Sequence, residues 1–508
     1  MVKIYIINDN YKLKIFFLII ALVLIYIFSI DLNFTNIPEL EFYNNQTLKL
    51  LVPSKRCKPP AYKTLYLTSD YKNDSNKIIK KYKIVDYKNK KNSYITYYSD
   101  NRELEQYKYL LFKQGLINSD SIFGDNNFYF TLKTTKLLKY NKSFVLLNHF
   151  KKFDLLFNYE IFSKDILYMM YLNMKKIFKK EYNYMPETYN YPNDKDIIEK
   201  KFMNYTLDIN DLWLVKPKND FGGRGIQILD SFKNISKAEF LITKYITNID
   251  LINYKKYDLR LYILISGLKP LRIYFYREGL VRIATNNFTL DSKSINNKFI
   301  HLTNIKINRK NKDFIVPNNT NIEKANVWNI QTYSNHLKNI HVNYEKIRNN
   351  IKDIIIKSII SFYQNLTLEL NQNNLNDINF YEILGYDIII KDNYEPILLE
   401  INSHPSKIIH NNLDNIIKTN LFIDTMNLIG VSIFSKNIIT KKLFKYKKYD
   451  LEDHINNALC ELTRPRGDYE LIFPLKTNIN TYKKYFRNIN CKENELFWEK
   501  IKKNSDRI

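Results

Sequence analysis

The segments "GYDIII" and "EPILLEIN" lie either side of the polar stretch "KDNY". Two apolar runs joined by such a stretch read as a β-hairpin. With the turn centred on Asn393 and Tyr394, Asp387 faces Glu400 at about 5 Å, and Asn402 shares their face. Two carboxylates and an amide oxygen offer only hard ligands, which is the chemistry of Mg2+ and commonly of Mg2+ shared with nucleotide phosphates. The flanking isoleucines and leucines imply burial, and buried carboxylates need a cation. A solvated polar face on an edge hairpin is the alternative.

A second stretch, "KPKNDFGGRGIQIL", places Gly222, Gly223 and Gly225 within four positions of a chain with only ten glycines in 508 residues. A glycine-rich turn after a strand lets backbone N–H groups approach phosphate, because no Cβ intervenes. Lys216 at the strand end and Arg224 in the loop add charge. No GxxxxGK[ST], HRD or DFG pattern occurs, and a bare turn is equally compatible with the glycines alone. In "KKYDLRLY", Lys256, Asp258 and Arg260 alternate and so project from one strand face. Arg282 ends the next strand. Arginine pairs suit bidentate capture of phosphate and carboxylate; cross-strand ion pairs on an exposed sheet are the alternative.

These groups need a frame. "DLWLVKP", "YDLRLYILIS" and "LRIYFYREGLVRIAT" read as strands from their apolar, β-branched and aromatic content. "KDILYMMYLNMKKIFKK" reads as a helix. So does the stretch 344–366, with Ile347, Ile351, Ile354, Ile355 and Ile359 on one face. A closing helix ends at Gly430, a C′ glycine. "KSFVLLNHF", ending at Phe150, reads as a buried strand and turn. Further upstream, Ile15 to Ile30 is sixteen residues without a charge, with Lys3, Lys12 and Lys14 before it and Asp31, Glu39 and Glu41 after it. A helix of that length spans about 24 Å and reads as a signal-anchor or a buried helix. Residues 31–60, with Pro38, Pro53, Pro59 and Pro60, form a linker.

The chain carries 78 Lys+Arg against 52 Asp+Glu, a net charge of +26. Such a surface attracts polyanions. The surplus of Asn, Lys, Ile and Tyr is the bias of an AT-rich coding sequence, so part of the lysine excess is codon supply. With no zinc knuckle, RNP-type motif or basic zipper, a nucleic-acid partner would rest on charge alone and is not expected. Cys57, Cys460 and Cys491 supply neither a disulfide framework nor a metal cluster, which favours a reducing compartment.

In order along the chain, "NHF", "KDIL", "EYNYMPETYNYP", "WLVKPKNDFGGRGI", "KYI", "KYDLRLYILI", "PLRIYFYREGLVRIAT", "FIHLTNIKINRKN", "FYEILGYDIII" and "PILLEINSHPS" resemble the tubulin–tyrosine ligase-like enzymes, a branch of the ATP-grasp ligases. The resemblance runs from Asn148 to Gly430. It implies an α+β ATP-grasp fold with mixed and antiparallel sheets and flanking helices, preceded by a smaller N-terminal α/β region. It implies a central domain over 146–215 and a C-terminal ATP-grasp catalytic domain over 216–430; outside it the residues themselves give a hydrophobic segment and linker over 1–60, a region of unassigned fold over 61–145 and a basic extension over 431–508.

By the same resemblance, Lys164 and Lys216 contact ATP phosphates beneath the loop Gly222, Gly223, Arg224 and Gly225. Lys244, Tyr245 and Ile246 border adenine, and Lys256 and Asp258 bind the nucleotide. Arg260 and Arg282 are catalytic, holding the γ-phosphate and an acyl intermediate. Thr303 and Asn304 line the cavity. Asp387, Glu400 and Asn402 hold Mg2+, the role their own chemistry suggests. The chain departs from the family pattern at Thr243 and Ile249, and by a short insertion before Lys164.

The implied reaction joins a free amino acid to a tubulin carboxylate through an acyl phosphate. "PLRIYFYREGLVRIAT" with "HLTNIKINRKN" is nearer the glutamylase branch than tyrosine or glycine ligation. A non-catalytic tubulin-binding scaffold is the rival class. Glutamate-rich tubulin tails give the positive charge a partner, and the lysines at 436–448 are a candidate contact. The expected location is the cytoplasm and cytoskeleton, with residues 15–30 as a candidate membrane anchor.

Overall fold

The computed structural model describes residues 162–503 apart from 210, 219–222, 230, 233–234, 236–238, 292–293, 319–321, 373–377, 379, 404, 433–450 and 488–491, and, before them, 64–65, 95–99, 111, 116–118, 128–130 and 152–153. The hydrophobic run 15–30, the linker to residue 60, the strand expected before Phe150, Gly222 and the lysine cluster 436–448 lie outside the described residues. Among those described, no helix is long and apolar enough to cross a membrane. All of them fall within one unit, Pro53–Ile508.

The first strands are β1 (Thr64–Leu65), β2 (Ile95–Ser99), β3 (Leu116–Asn118), β4 (Phe128–Phe130) and β5 (Lys152–Phe153). A parallel sheet forms in the order β3-β2-β4-β5. Next come α1 (Lys164–Phe178), β6 (Thr188–Tyr191), α2 (Lys195–Phe202), β7 (Trp213–Pro217), β8 (Gln227–Ile228) and β9 (Phe240–Lys244). Here β6-β9-β7-β8 is antiparallel. Trp213 and Val215, like Phe240 and Ile242, recur every second residue and so face one side, where they pack with Ile198 and Phe202 of α2.

The largest sheet has seven strands. They are β10 (Leu251–Ile252), β11 (Lys255–Leu268), β12 (Leu271–Ile283), β13 (Val327–Asn329), β14 (Glu382–Ile390), β15 (Pro396–Asn402) and, after β16 (Val431–Ser432), β17 (Tyr469–Phe473). The order is β13-β12-β11-β14-β15, with β10 on β11 and β17 on β12; β16 pairs with β1. β11 is buried along nearly its whole length. Its stretch 261–265 reads as a continuous apolar run, as strands covered on both faces do, whereas Lys256, Asp258 and Arg260 alternate with apolar residues before it.

The helices that follow β12 are α3 (Lys298–His301), α4 (Ile305–Asn308), α5 (Ile330–Asn339), α6 (Tyr344–Gln372), α7 (Asn412–Ile429), α8 (Leu451–Glu461), α9 (Ile479–Lys483) and α10 (Lys492–Lys503). The expected isoleucine face of α6 is buried at Ile347, Ile351, Ile354, Ile355 and Ile359. Gly430 ends α7 with φ +71°, a conformation only glycine adopts without strain.

The sheets divide differently from two expected boundaries. The line between 215 and 216 falls inside β7, and the sheet that β7 belongs to takes β6 from before that line and β8 and β9 from after it. Residues 431–508, expected as a basic extension, supply β17 to the main sheet. They also bury Phe473, Phe486, Phe497 and Trp498 in the main core. Apolar side chains spaced through a basic segment find their partners on β12, some two hundred residues away in sequence, and burial of that aromatic area holds them there.

Candidate nucleotide and metal site

The β14–β15 hairpin runs in register from Ile390↔Pro396 to Ile388↔Leu398, then shifts so that Asp387 faces Glu400 and Gly385 faces Asn402. Leu399 is the extra residue. The turn is thus centred one half-position earlier than the sequence suggests, and the bulge restores the expected facing. A bulge re-aims the side chains beyond it, here onto one face with those of the neighbouring strands.

Those neighbours come from register too. Arg260 pairs across to Asp387, and Asp258 pairs across to Arg282. One row of charge therefore crosses four strands, in the order Arg282, Asp258 with Arg260, Asp387, Glu400. Asp387 accepts from Arg260 Nε at 2.5 Å and Nη2 at 2.9 Å, and pairs with Arg282 Nη2 at 2.9 Å. Arg282 also donates twice to Asp258, each at 2.6 Å, and Thr303 Oγ1 donates to Asp258 at 2.5 Å. The cross-strand ion pairs are real, but they are buried: Asp258, Arg282 and Asp387 are 3–5% exposed.

This row sets the protonation of its members. Burial alone would raise the Asp387 carboxyl, but Arg260 and Arg282 outweigh it and hold the group well below the ordinary range. Glu400 goes the other way. Burial and then the adjacent Asp387 raise it, against Lys164, whose Nζ lies 3.9 Å from Glu400. Among the described residues there is no cluster of three or more His, Cys, Asp and Glu side chains. A divalent cation would therefore depend on Asn402 as third ligand. Asn402 donates its amide N–H to Glu400 Oε1 at 3.3 Å and to the Gly385 carbonyl at 3.4 Å, which leaves its oxygen for a metal. Two adjoining carboxylates and that oxygen fit a hard cation.

The positive side of the site is built from other elements. Lys164 opens α1, and Lys216 lies near the end of β7 without a hydrogen-bond or ion-pair partner among the described residues. Burial brings Lys216 down to about 8, opposed by Glu400 and assisted by Lys164. Lys256 falls to about 7 through burial, against Asp258 and with Lys216. In the glycine loop, Gly223 has φ +77°, and a Cβ there would meet Asn304 Oδ1 at 2.6 Å. Arg224 and Gly225 are exposed.

Not every expected residue joins this assembly. Lys244 pairs with Asp211 and lies 5.0 Å over the Trp213 ring, and among the described residues no hydrogen bond or ion pair joins it to Lys256 or the hairpin. Ile246 has no polar side chain, so only its backbone could hydrogen-bond a base, while its side chain could pack on one. Two residues escaped the sequence reading. Lys218 is buried, with Asp165 at 3.9 Å; its i+2 spacing from Lys216 was a usable signal. His301 binds the Tyr245 hydroxyl at 2.9 Å, and nothing in the local sequence marks it.

Residues 139–439 match the Tubulin-tyrosine ligase family. The chain is 32% identical over 286 residues to the tubulin monoglutamylase TTLL4 of Mus musculus, an alignment covering 56% of this chain and 23% of that protein. It is 29% identical over 369 residues to the tubulin polyglutamylase ttll6 of Danio rerio, covering 68% and 46%. To the tubulin polyglutamylase TTLL5 of Mus musculus it is 32% identical over 286 residues, covering 56% and 21%. The chain thus spans less than half the length of each of these relatives. The family match takes in more than half of the chain and contains the entire row from Lys164 to Asn402, so the chain belongs to the tubulin-tyrosine ligase family.

Proposed function

We propose that the chain is an ATP-dependent carboxylate–amine ligase that joins glutamate to a carboxylate of tubulin. The observation that carries this reading is the buried row Arg282, Asp258, Arg260, Asp387 and Glu400, with the buried Lys216, which has no ion-pair partner among the described residues, close enough to feel Glu400. It provides matched places for a polyphosphate and a carboxylate and no nucleophile of its own. The relatives bearing glutamylase names favour glutamate over tyrosine or glycine.

In this reading Lys164, Lys216 and Lys256 neutralise the ATP phosphates, and the 222–225 loop covers them. Asp387, Glu400 and Asn402 would hold Mg2+, which when bound supplies charge neutralisation to the phosphates. Arg260 and Arg282 orient the acceptor carboxylate toward the γ-phosphorus. A carboxylate oxygen forms the P–O bond as the bond to ADP breaks. The amine of free glutamate, having lost a proton, then attacks the acyl carbon and expels phosphate. Positioning and preorganised charge supply the catalysis, as is general for phosphoryl transfer. A tubulin acceptor requires the catalytic residues to face the cytosol, so residues 15–30, if an anchor, would orient accordingly; glycosylation mapping on the tagged chain reads this, and occupied sites beyond residue 60 would contradict it.

The deciding experiment incubates the full chain with ATP, Mg2+, microtubules and labelled glutamate, tyrosine or glycine. Glutamate adducts on tubulin peptides are expected by mass spectrometry. Tyrosine or glycine adducts alone would overturn the glutamate assignment. ATP binding without any adduct would leave the scaffold reading.

A further inference from the structure

We propose that His301 is a positioning residue of the nucleotide pocket, acting through the Tyr245 hydroxyl to fix where Lys256 presents its ammonium. The inference rests on the reading of this pocket as an ATP site, and it adds a residue to which that reading gives no role.

The geometry is a directed chain of hydrogen bonds. His301 Nε2 lies 3.2 Å from the Ser294 carbonyl oxygen. A carbonyl only accepts, so Nε2 carries the proton and Nδ1 of the neutral ring is an acceptor. Tyr245 Oη, 2.9 Å from Nδ1, must therefore donate to it. Having spent its proton there, the hydroxyl can only accept from Lys256 Nζ, 3.0 Å away. One backbone carbonyl thus sets the direction of all three bonds, whatever the charge on Lys256. The ring stays neutral because burial and then the nearby Lys256 depress His301 to about 4.

The consequence falls on Lys256. Its Nζ sits 4.3 Å above the Tyr245 ring and makes no ion pair within 4 Å among the described residues. Lys256 is 8% exposed, yet its one side-chain hydrogen bond among the described residues goes to a neutral hydroxyl. Two N–H directions remain, and their orientation is fixed by the bond to Tyr245. A buried ammonium with a single neutral partner is incomplete until an acceptor arrives, and a nucleotide supplies acceptors. Tyr245 is itself pinned, its ring meeting the His301 ring edge-on at 5.7 Å. Phe288 also meets the imidazole edge-on, with ring centroids 6.1 Å apart. His301 is itself 5% exposed, so its ring is held among these neighbours.

The test is a set of ATP titrations by calorimetry on the full chain, with kcat and KM measured alongside. His301→Phe is expected to weaken ATP about tenfold, the scale of one misdirected charge-assisted bond. It should raise KM by the same factor while kcat moves less than about twofold. His301→Asn, which keeps an acceptor near the Nδ1 position, should recover most of the affinity. In a Lys256→Met background, His301→Phe should have no further effect, because the only group it orients is gone. Unchanged ATP affinity in His301→Phe, or an undiminished loss in the Lys256→Met background, overturns the inference and leaves the ATP reading standing. If His301→Phe unfolds, His301→Asn decides: an Asn variant that is folded but as weak as Tyr245→Phe also overturns it. Absence of ATP binding by the unsubstituted chain overturns the site reading and this inference together.

Discussion

Asp387 shares its two oxygens among three guanidinium N–H groups, while Glu400 across the hairpin has a like charge beside it and a lysine only at 3.9 Å. The two carboxylates therefore differ in what they lack. Asp387 is already compensated, whereas Glu400 waits for a cation. Glu400→Gln keeps the shape and the Asn402 contact but removes the charge. Turnover should fall on the order of 10²–10³-fold, measured as ADP release, with the unfolding midpoint unchanged or slightly higher because the repulsion with Asp387 is gone. A large loss of stability would show Glu400 to be structural. Lys216 gives a pH test. Its folded-state pKa of about 8 lies below the ordinary lysine value, so the unfolded chain binds the proton more tightly and this group's contribution to stability rises as pH climbs from 8 toward 10.5. Phosphate affinity takes the opposite sign, since the charge is lost over the same window. We expect kcat/KM for ATP to decline above pH 8, and kcat to decline at higher pH because bound phosphate favours the ammonium. Lys216→Met should start low and flatten that limb; an unaltered limb would remove Lys216 from the phosphate site.

At the scale of elements, the glycine loop and the hairpin do different work. Gly223 brings its backbone so close to Asn304 that an added Cβ would sit 2.6 Å from the amide oxygen, and φ +77° strains any other residue. Gly223→Ala should hold the loop away from α4, raising KM for ATP about tenfold or more with a smaller change in kcat, while Gly430→Ala, equally strained but remote from the loop, should lower only stability. A KM effect shared by both would mean general destabilisation instead. Much of this was legible in the sequence because the signals are local. Turn chemistry at "KDNY" located the hairpin that carries Asp387 and Glu400, though they face each other only through the Leu399 bulge, and isoleucine spacing located the buried face of α6. The Leu399 bulge was not legible, because a bulge forms where neighbouring strands pull the register, and "PILLEIN" carries no mark of it. The Lys244–Asp211 pair was not legible for a related reason: the two become neighbours only once β9 pairs with β7. His301 depends on where a one-turn helix docks, a tertiary event. Local chemistry shows in local sequence; contacts made by docking do not.

For the molecule as a whole, the segment after Gly430 is part of the machine that holds the site, and one buried ion pair binds it there. Arg272 on β12 and Glu461 at the end of α8 are each about 2% exposed at the side chain. Arg272 donates to Glu461 at 2.8 and 3.2 Å, and Ser266 and Tyr274 donate to the same carboxylate at 2.5 and 3.0 Å. Gly267 makes the room, since a Cβ there would meet the guanidinium at 2.3 Å. Burial raises the Glu461 carboxyl, but Arg272 outweighs it and keeps the group ionised. Glu461→Gln leaves a buried guanidinium without its counter-charge and should cost about 3–5 kcal/mol in urea unfolding. Replacing both residues by methionine removes the charges together and should recover most of that loss. Because β12 also carries Arg282, Glu461→Gln should lower the temperature at which activity is lost while leaving KM for ATP unchanged below it. If instead Glu461→Gln were as stable as the parent, the pair would not be what secures the C-terminal segment, and the packing of Phe473, Phe497 and Trp498 would have to do so alone.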